Sequence, residues 1–308
     1  MPSLTRSGLR TIILVAAIVV IAACLATLVA LVTSTEGPVR GGSAVLVGAG
    51  DIAKCLSDAD NATAELLDDI PGTVFTVGDN VYSSKVPWRF ALCYGPSWGR
   101  HKDRTRPAPG NHEYLNSQDA TDYFEYFGSA ASPPSRGYYS FDKGDWHVVA
   151  LDSNCEQVRG GCGASSPMVG WLQRDLAAHR SRCTLAYFHH PLFSSGEHGN
   201  QPQVRPIWEA LYAADADVVV SAHDHSYERF APQRPDGTRD EGRGIREFVV
   251  GTGGGEHYPF GATEPNSQVR NATTYGVLKI ALSPRSYAWE FVPVEGESFT
   301  DSGHDRCH

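Results

Sequence analysis

The residues most able to do chemistry in this chain fall in five short blocks. They are GAGD (Gly48–Asp51), GDNVY (Gly78–Tyr82), GNHE (Gly110–Glu113), HHP (His189–Pro191) and, inside SAHDHSYERF, the pair His223 and His225 around Asp224. Carboxylate, amide, phenol and imidazole groups are oxygen and nitrogen donors, which suit iron, manganese or zinc better than thiophilic metals. Each block alone has an ordinary explanation. An Asp after a strand is commonly a cap or turn residue, and a His-rich turn can simply be solvated.

The elements that must carry these blocks give them a common address. Apolar runs at Ala44–Val47, Thr73–Val77, Thr184–Phe188 and Asp217–Ala222 read as buried strands. The polar blocks follow directly, so Asp51, Asp79, Asn111, His189 and His223 sit at or just beyond strand carboxyl ends. In open α/β sheets that edge is where ligands bind. Helices are predicted over Asn61–Asp69, Asp119–Phe127, Met168–Ala178 and Ile207–Tyr212. Tyr138–Phe141 and His147–Leu151 read as a hairpin, and Phe248–Gly251, Tyr275–Ala281 and Tyr287–Val292 as late strands. The alternation predicts an α/β fold with two sheets and helices outside.

With the five blocks in this order, the chain resembles the calcineurin-like metallophosphoesterases, and within them the purple acid phosphatases. The resemblance runs from about residue 45 to 292. It implies a four-layer α/β/β/α sandwich with two metal ions at one edge. By the same resemblance Asp79 bridges the ions. Asp51, Tyr82 and His225 complete one site; Asn111, His189 and His223 complete the other. His189 rather than His190 is the implied ligand, because it lies two residues before Pro191. Most of the superfamily has Asp-x-His in the first block, whereas here Ala53 stands two after Asp51. Tyr82 replaces the missing donor, and a hard phenolate favours a trivalent ion. The implied cofactors are Fe(III) plus Fe, Zn or Mn.

The implied reaction is hydrolysis of phosphoric monoesters by in-line attack of a metal-bound hydroxide. His112 and His198 are the candidate catalytic acids for the leaving oxygen, His198 lying nine residues after His189. Gly253–Gly255 can line a phosphate pocket. Asp224 and Glu113 are near enough in sequence to support ligand histidines. The opening motif carries Ala222 where glycine is usual, and Asp152 reads as a structural strand-end acid. Two alternatives stand beside this reading: a phosphodiesterase or nucleotidase using the same site, and a non-catalytic metal-binding surface protein.

The bulk numbers agree with an exported enzyme. The 308 residues are 41% hydrophobic and 20% charged, as in globular domains. A net charge of −9 argues against binding a nucleic-acid backbone, leaving a small phosphate ester as the expected partner. Residues 1–10 carry Arg6 and Arg10 ahead of an apolar stretch at 11–33, with a linker at 34–43 and the catalytic domain at 44–308. The stretch is long enough to span a bilayer, and the preceding charge orients the remainder outward. It reads as a signal anchor, a cleaved signal peptide, or a lipoprotein signal around Cys24, although residues 25–28 stay apolar where lipoproteins turn polar. Each places the domain outside the cytoplasm, anchored or secreted, in a bacterial envelope. Six further cysteines suit disulfides there. Cys155 and Cys162 enclose a Gly-rich loop and pair first; Cys55–Cys93 and Cys183–Cys307 are then assigned, though spacing does not fix connectivity.

Overall fold

The computed structural model describes residues 44–82, 88–115, 119–132, 136–179, 181 and 183–308. The N-terminal expectations for residues 1–10, 11–33 and 34–43 lie outside the described residues. Among the described residues no helix is long and apolar enough to cross a membrane.

Two mixed sheets form the fold. The first is built from β1 (Ala44–Ala49), β2 (Thr73–Val77), β3 (Thr105–Ala108), β11 (Gly276–Ser283), β12 (Ser286–Pro293) and β13 (Ser302–Arg306), in the order β13-β12-β11-β1-β2-β3. The second contains β4 (Tyr139–Lys143), β5 (Trp146–Ala150), β6 (Cys183–Tyr187), β7 (Val218–Ser221), β8 (Tyr227–Phe230), β9 (Arg246–Val250) and β10 (Ser267–Asn271), in the order β10-β8-β9-β7-β6-β5-β4. Strands β1, β2 and β3 run parallel, as do β5, β6, β7 and β9. Their carboxyl ends therefore share one edge of each sheet.

Side-chain alternation explains the layers. Val148, Ala150, Leu185, Tyr187, Val218, Val220, Phe248 and Val250 belong to one continuous cluster with Leu46, Val47, Val77, Val277 and Ile280 of the first sheet. The intervening residues Val149, Ala186, Val219 and Val249 face the other way. They pack against Leu172 and Leu176 of α3 (Pro167–Ala178) and Ile207, Trp208 and Leu211 of α4 (Arg205–Ala213). On the first sheet, α1 (Ala59–Asp69) contacts β11, and its Leu67 belongs to the same cluster. The short α2 (Thr121–Phe127) starts two residues later than the sequence predicts, because Ala120 takes a left-handed conformation at φ 50°.

Three disulfides match the expected pairs, Cys55–Cys93, Cys155–Cys162 and Cys183–Cys307. Cys183 begins β6 and Cys307 follows β13, so this bond staples the two sheets together at the edge remote from the strand-end motifs. Cys55–Cys93 instead pins the segment after Asp51 to the π-helical turn Phe90–Tyr94. Strands β8, β10 and β13 have no counterpart in the sequence reading. They are short, β10 and β13 are polar, and β8 sets two charged residues between two buried aromatics over only four positions.

Candidate metal centre

The chain turns sharply at the end of each parallel strand. Asp51, Asp79 and His223 all adopt left-handed backbone conformations, with φ of 57°, 49° and 71°. Such conformations are costly for residues with side chains and cluster at functional sites. Here they bend each strand end back over the sheet edge. The turn is tight enough that a Cβ on Gly110 would fall 2.2 Å from Asp79 Oδ1. The unusual Ala222 is accommodated because its partner is glycine: a Cβ on Gly50 would lie 2.5 Å from the Ala222 Cβ.

These turns bring the donor atoms together in two groups. In the first, the Tyr82 hydroxyl donates to Asp51 Oδ1 at 2.5 Å and lies 2.8 Å from His225 Nε2. His225 Nε2 is 3.4 Å from the same carboxylate oxygen. In the second, His189 Nε2 lies 3.0 Å from Asn111 Oδ1, 3.2 Å from His223 Nδ1 and 3.4 Å from Asp79 Oδ2. Donor atoms of Asp51, Asp79 and His189 all lie within 4.8 Å of one another, so Asp79 stands between the groups. Atoms that each sit ~2.1 Å from one ion are roughly 3.0–3.4 Å apart, which is the spacing in the second group and between His225 and Asp51, whereas Tyr82 sits at hydrogen-bond distance from both. All seven residues marked in the sequence as metal ligands are thus brought to one place.

The supporting bonds prepare the same atoms. His189 Nδ1 donates to the Val77 carbonyl at 2.8 Å, and His225 Nδ1 to the Glu256 carbonyl at 2.6 Å. A carbonyl can only accept, so each ring keeps a proton on Nδ1 and presents Nε2 to the centre. The sequence leaves the partners of these rings unassigned. Asp224 and Glu113 do not hold the ligand imidazoles. The buried Glu113 accepts from the backbone N–H groups of Asp79, Asn80 and Gly110, fastening two ligand turns to each other.

The electrostatics call for a cation. Among the described residues, no Lys or Arg reaches either Asp51 or Asp79, although both are buried. Burial raises the Asp51 carboxyl, but His225 outweighs burial and leaves it below the usual range. Asp79 is likewise held low, His189 overcoming burial. The Tyr82 phenol is pushed well above its ordinary value by burial and then by the Asp51 and Asp79 charges. Left to these neighbours it stays protonated and donates to Asp51, so only added positive charge would ionise it. Burial, followed by the charge of His189, holds His223 far below the usual imidazole range and therefore neutral. Against burial, Asp79 raises the His189 imidazole to about 9 and Asp51 raises that of His225, so bound cations would take the place of these protons among hard oxygen and nitrogen donors.

Both candidate acids reach the centre. The His112 ring meets Tyr82 edge-on at 4.5 Å, with Nε2 3.8 Å from Asp79 Oδ2. The exposed His198 stacks on His223 at 4.3 Å. His190, set aside in the sequence reading, places a ring nitrogen near donor atoms of His189 and His223, while its Nδ1 lies 2.8 Å from Ser153 Oγ. The Gly-rich loop supports the first donor group. Gly253 and Gly255 donate to the Gly50 and Asp51 carbonyls, and a Cβ on Gly255 would collide with the His225 ring.

Sequence reasoning missed Tyr258 and Arg89. Tyr258 stacks on His225 at 4.1 Å and meets His198 edge-on at 5.6 Å. The buried Arg89 donates to the carbonyls of Val81 and His112 and pairs with Asp122, tying the Tyr82 and His112 loops together. Neither sits in a motif, and nothing in their local spacing signals a role.

The chain is similar to known proteins in sequence and in fold. A family model, the calcineurin-like phosphoesterase, matches residues 46–227. The chain is 28% identical over 158 residues to purple acid phosphatase 18 of Arabidopsis thaliana, covering 47% of this chain and 35% of that protein. It is 32% identical over 203 residues to an uncharacterized protein of Mycobacterium tuberculosis, covering 53% and 38%. The chain therefore spans well under half the length of these relatives. Among solved structures, purple acid phosphatase PPD1 from yellow lupin (Lupinus luteus) superposes with a TM-score of 0.69 at 17% identity, over 85% of this chain and 53% of that one. A dimetal phosphatase from Danio rerio gives a TM-score of 0.54 at 12% identity, over 84% and 98%. These structural likenesses establish the shared fold, and the match over residues 46–227 assigns the chain to the calcineurin-like phosphoesterase family.

Proposed function

We propose that this protein is a binuclear metal-dependent phosphatase acting on phosphoric monoesters outside the cytoplasm. The observation that carries the reading is the convergence of two groups of oxygen and nitrogen donors on either side of Asp79. Asp79 would bridge the ions. Asp51, Tyr82 and His225 would hold one; Asn111, His189 and His223 would hold the other. Tyr82 favours Fe(III) in the first position, with Fe, Zn or Mn in the second. When bound, such a pair supplies Lewis acidity toward phosphoryl oxygens and acidifies water toward a pKa of ~7.

The chain's own residues supply the rest. His112 and His198 face the centre from opposite donor groups and can deliver a proton to the leaving oxygen. The carbonyls of Val77 and Glu256 hold the ligand rings in orientation. Three disulfides support an oxidising compartment, and residues 11–33 would provide the anchor or export signal.

The test is elemental analysis of the purified protein, with turnover of a nitrophenyl monoester and its bis-ester before and after chelation. We expect two ions per chain and faster monoester turnover, abolished by the chelator. Preferential bis-ester hydrolysis would replace this reading with a phosphodiesterase. Metal-loaded protein that hydrolyses neither would replace it with a binding protein.

A further inference from the structure

Asp224 stands between two ligand histidines, yet its carboxylate serves neither ring. Both oxygens point into the loop at 194–198. Oδ2 accepts from the Ser194 hydroxyl at 2.5 Å, and Oδ1 accepts from the backbone N–H of His198 at 2.7 Å. Ser194 Oγ in turn accepts from the Gly196 N–H at 3.0 Å. The turn is wrapped so closely around the carboxylate that a Cβ on Gly196 would fall 2.2 Å from Asp224 Cγ. Asp224 is fully buried. An unpaired buried carboxylate is costly, and these charge-assisted bonds compensate it only while the loop keeps this shape.

A second acid of the same motif fastens the middle of the loop. Glu228 Oε2 accepts from the Ser195 N–H at 2.8 Å and Oε1 from its hydroxyl at 2.6 Å. The loop has no helix or strand of its own. The result of this double fastening is that the His198 ring lies over His223 at 4.3 Å, with 23° between the planes.

We propose that Asp224 is a positioning residue that sets His198 against the metal-ligand motif, with Glu228 fixing the adjoining turn. One carboxylate thereby joins the segment holding two ligands to the segment holding the proton donor. The inference rests on the phosphatase reading above, and its test separates the two.

Asp224→Asn keeps the side-chain volume but turns an N–H₂ toward one of the two donors. We expect two ions per chain as in the parent and hydrogen exchange at the His198 amide faster by about tenfold or more. The expected kcat for the nitrophenyl monoester is lower by about tenfold to a hundredfold. In a His198→Ala background the same substitution should cost nothing further, because its effect passes through His198. Losses that multiply, or loss of metal in Asp224→Asn, would overturn the inference. If His198→Ala keeps full kcat, the proton-donor assignment fails instead, and the amide exchange still reports on the fastening. Ser194→Ala removes one anchor without touching the acid. It should shift exchange and kcat in the same directions by less, and supplies the answer if Asp224→Asn does not fold.

Discussion

Among the described residues, two clusters join histidine to carboxylate, around Asp79 and around His147, and their ring geometries differ. On the second sheet, His147 lies between Asp142 at 2.9 Å and Asp175 at 2.8 Å, each ring nitrogen facing its own carboxylate. His179 stacks almost parallel on His147, at 4.5 Å and 9°. Parallel rings at that distance cannot aim their in-plane lone pairs at one point. At the strand-end edge the opposite holds. Carbonyls occupy the outer nitrogens of His189 and His225, and the inner ones crowd together with Asp51, Tyr82, Asn111 and Asp79. The comparison teaches that residue types nominate a site, while inner donor atoms converging on one place make one.

The comparison can be broken most severely at Asp79. Asp79→Asn should lower kcat by about a thousandfold or more. The fold should survive, since the bonds through Glu113 are made by backbone N–H groups. Circular dichroism and metal content check both halves; a fully active variant would remove Asp79 from the centre. Next in size is Tyr82→Phe. If the first ion is ferric, the parent absorbs visible light through the phenolate and the variant does not, with metal affinity down by about ten- to a hundredfold. An active, iron-free and colourless parent would refute the iron assignment and leave the reaction class standing.

The outer cluster gives the complementary result. His147→Gln should leave metal content and kcat unchanged and cost about 1–2 kcal/mol of stability from lost buried hydrogen bonds. A loss of bound metal would make that cluster a second site. The smallest effect concerns Asp152, which accepts from the Tyr114 hydroxyl and from Asn154 beside the centre. Burial raises its carboxyl to about 6, against those bonds. The folded protein thus holds this proton more tightly than the unfolded chain. The stabilisation is full below the ordinary carboxylate value of ~4 and is lost as pH rises through about 6. Asp152→Asn should therefore gain stability relative to the parent between pH 5 and pH 7.5, read from thermal unfolding at a series of pH values. Parallel curves for the two proteins would contradict it.

The strands that carry the candidate ligands were legible because they are apolar, bounded and followed at once by polar turns. The late strands β8, β10 and β13 were not, since their pairing depends on edges supplied from elsewhere. Asp224 was visible as part of a motif, but its contacts lie with residues 194–198, which sequence proximity does not signal.

The sequence by itself determined the donor chemistry, the order of the ligand blocks and their placement at strand ends. Composition, periodicity and motif spacing are local properties of the chain, so they can be read along it. Tertiary structure alone decided convergence. Tyr82 meets His225 across 143 residues, and the proton on His189 is set by a carbonyl 112 residues away. Those contacts exist because two sheets pack face to face with their parallel strands ending at one edge, and no local spacing encodes that packing.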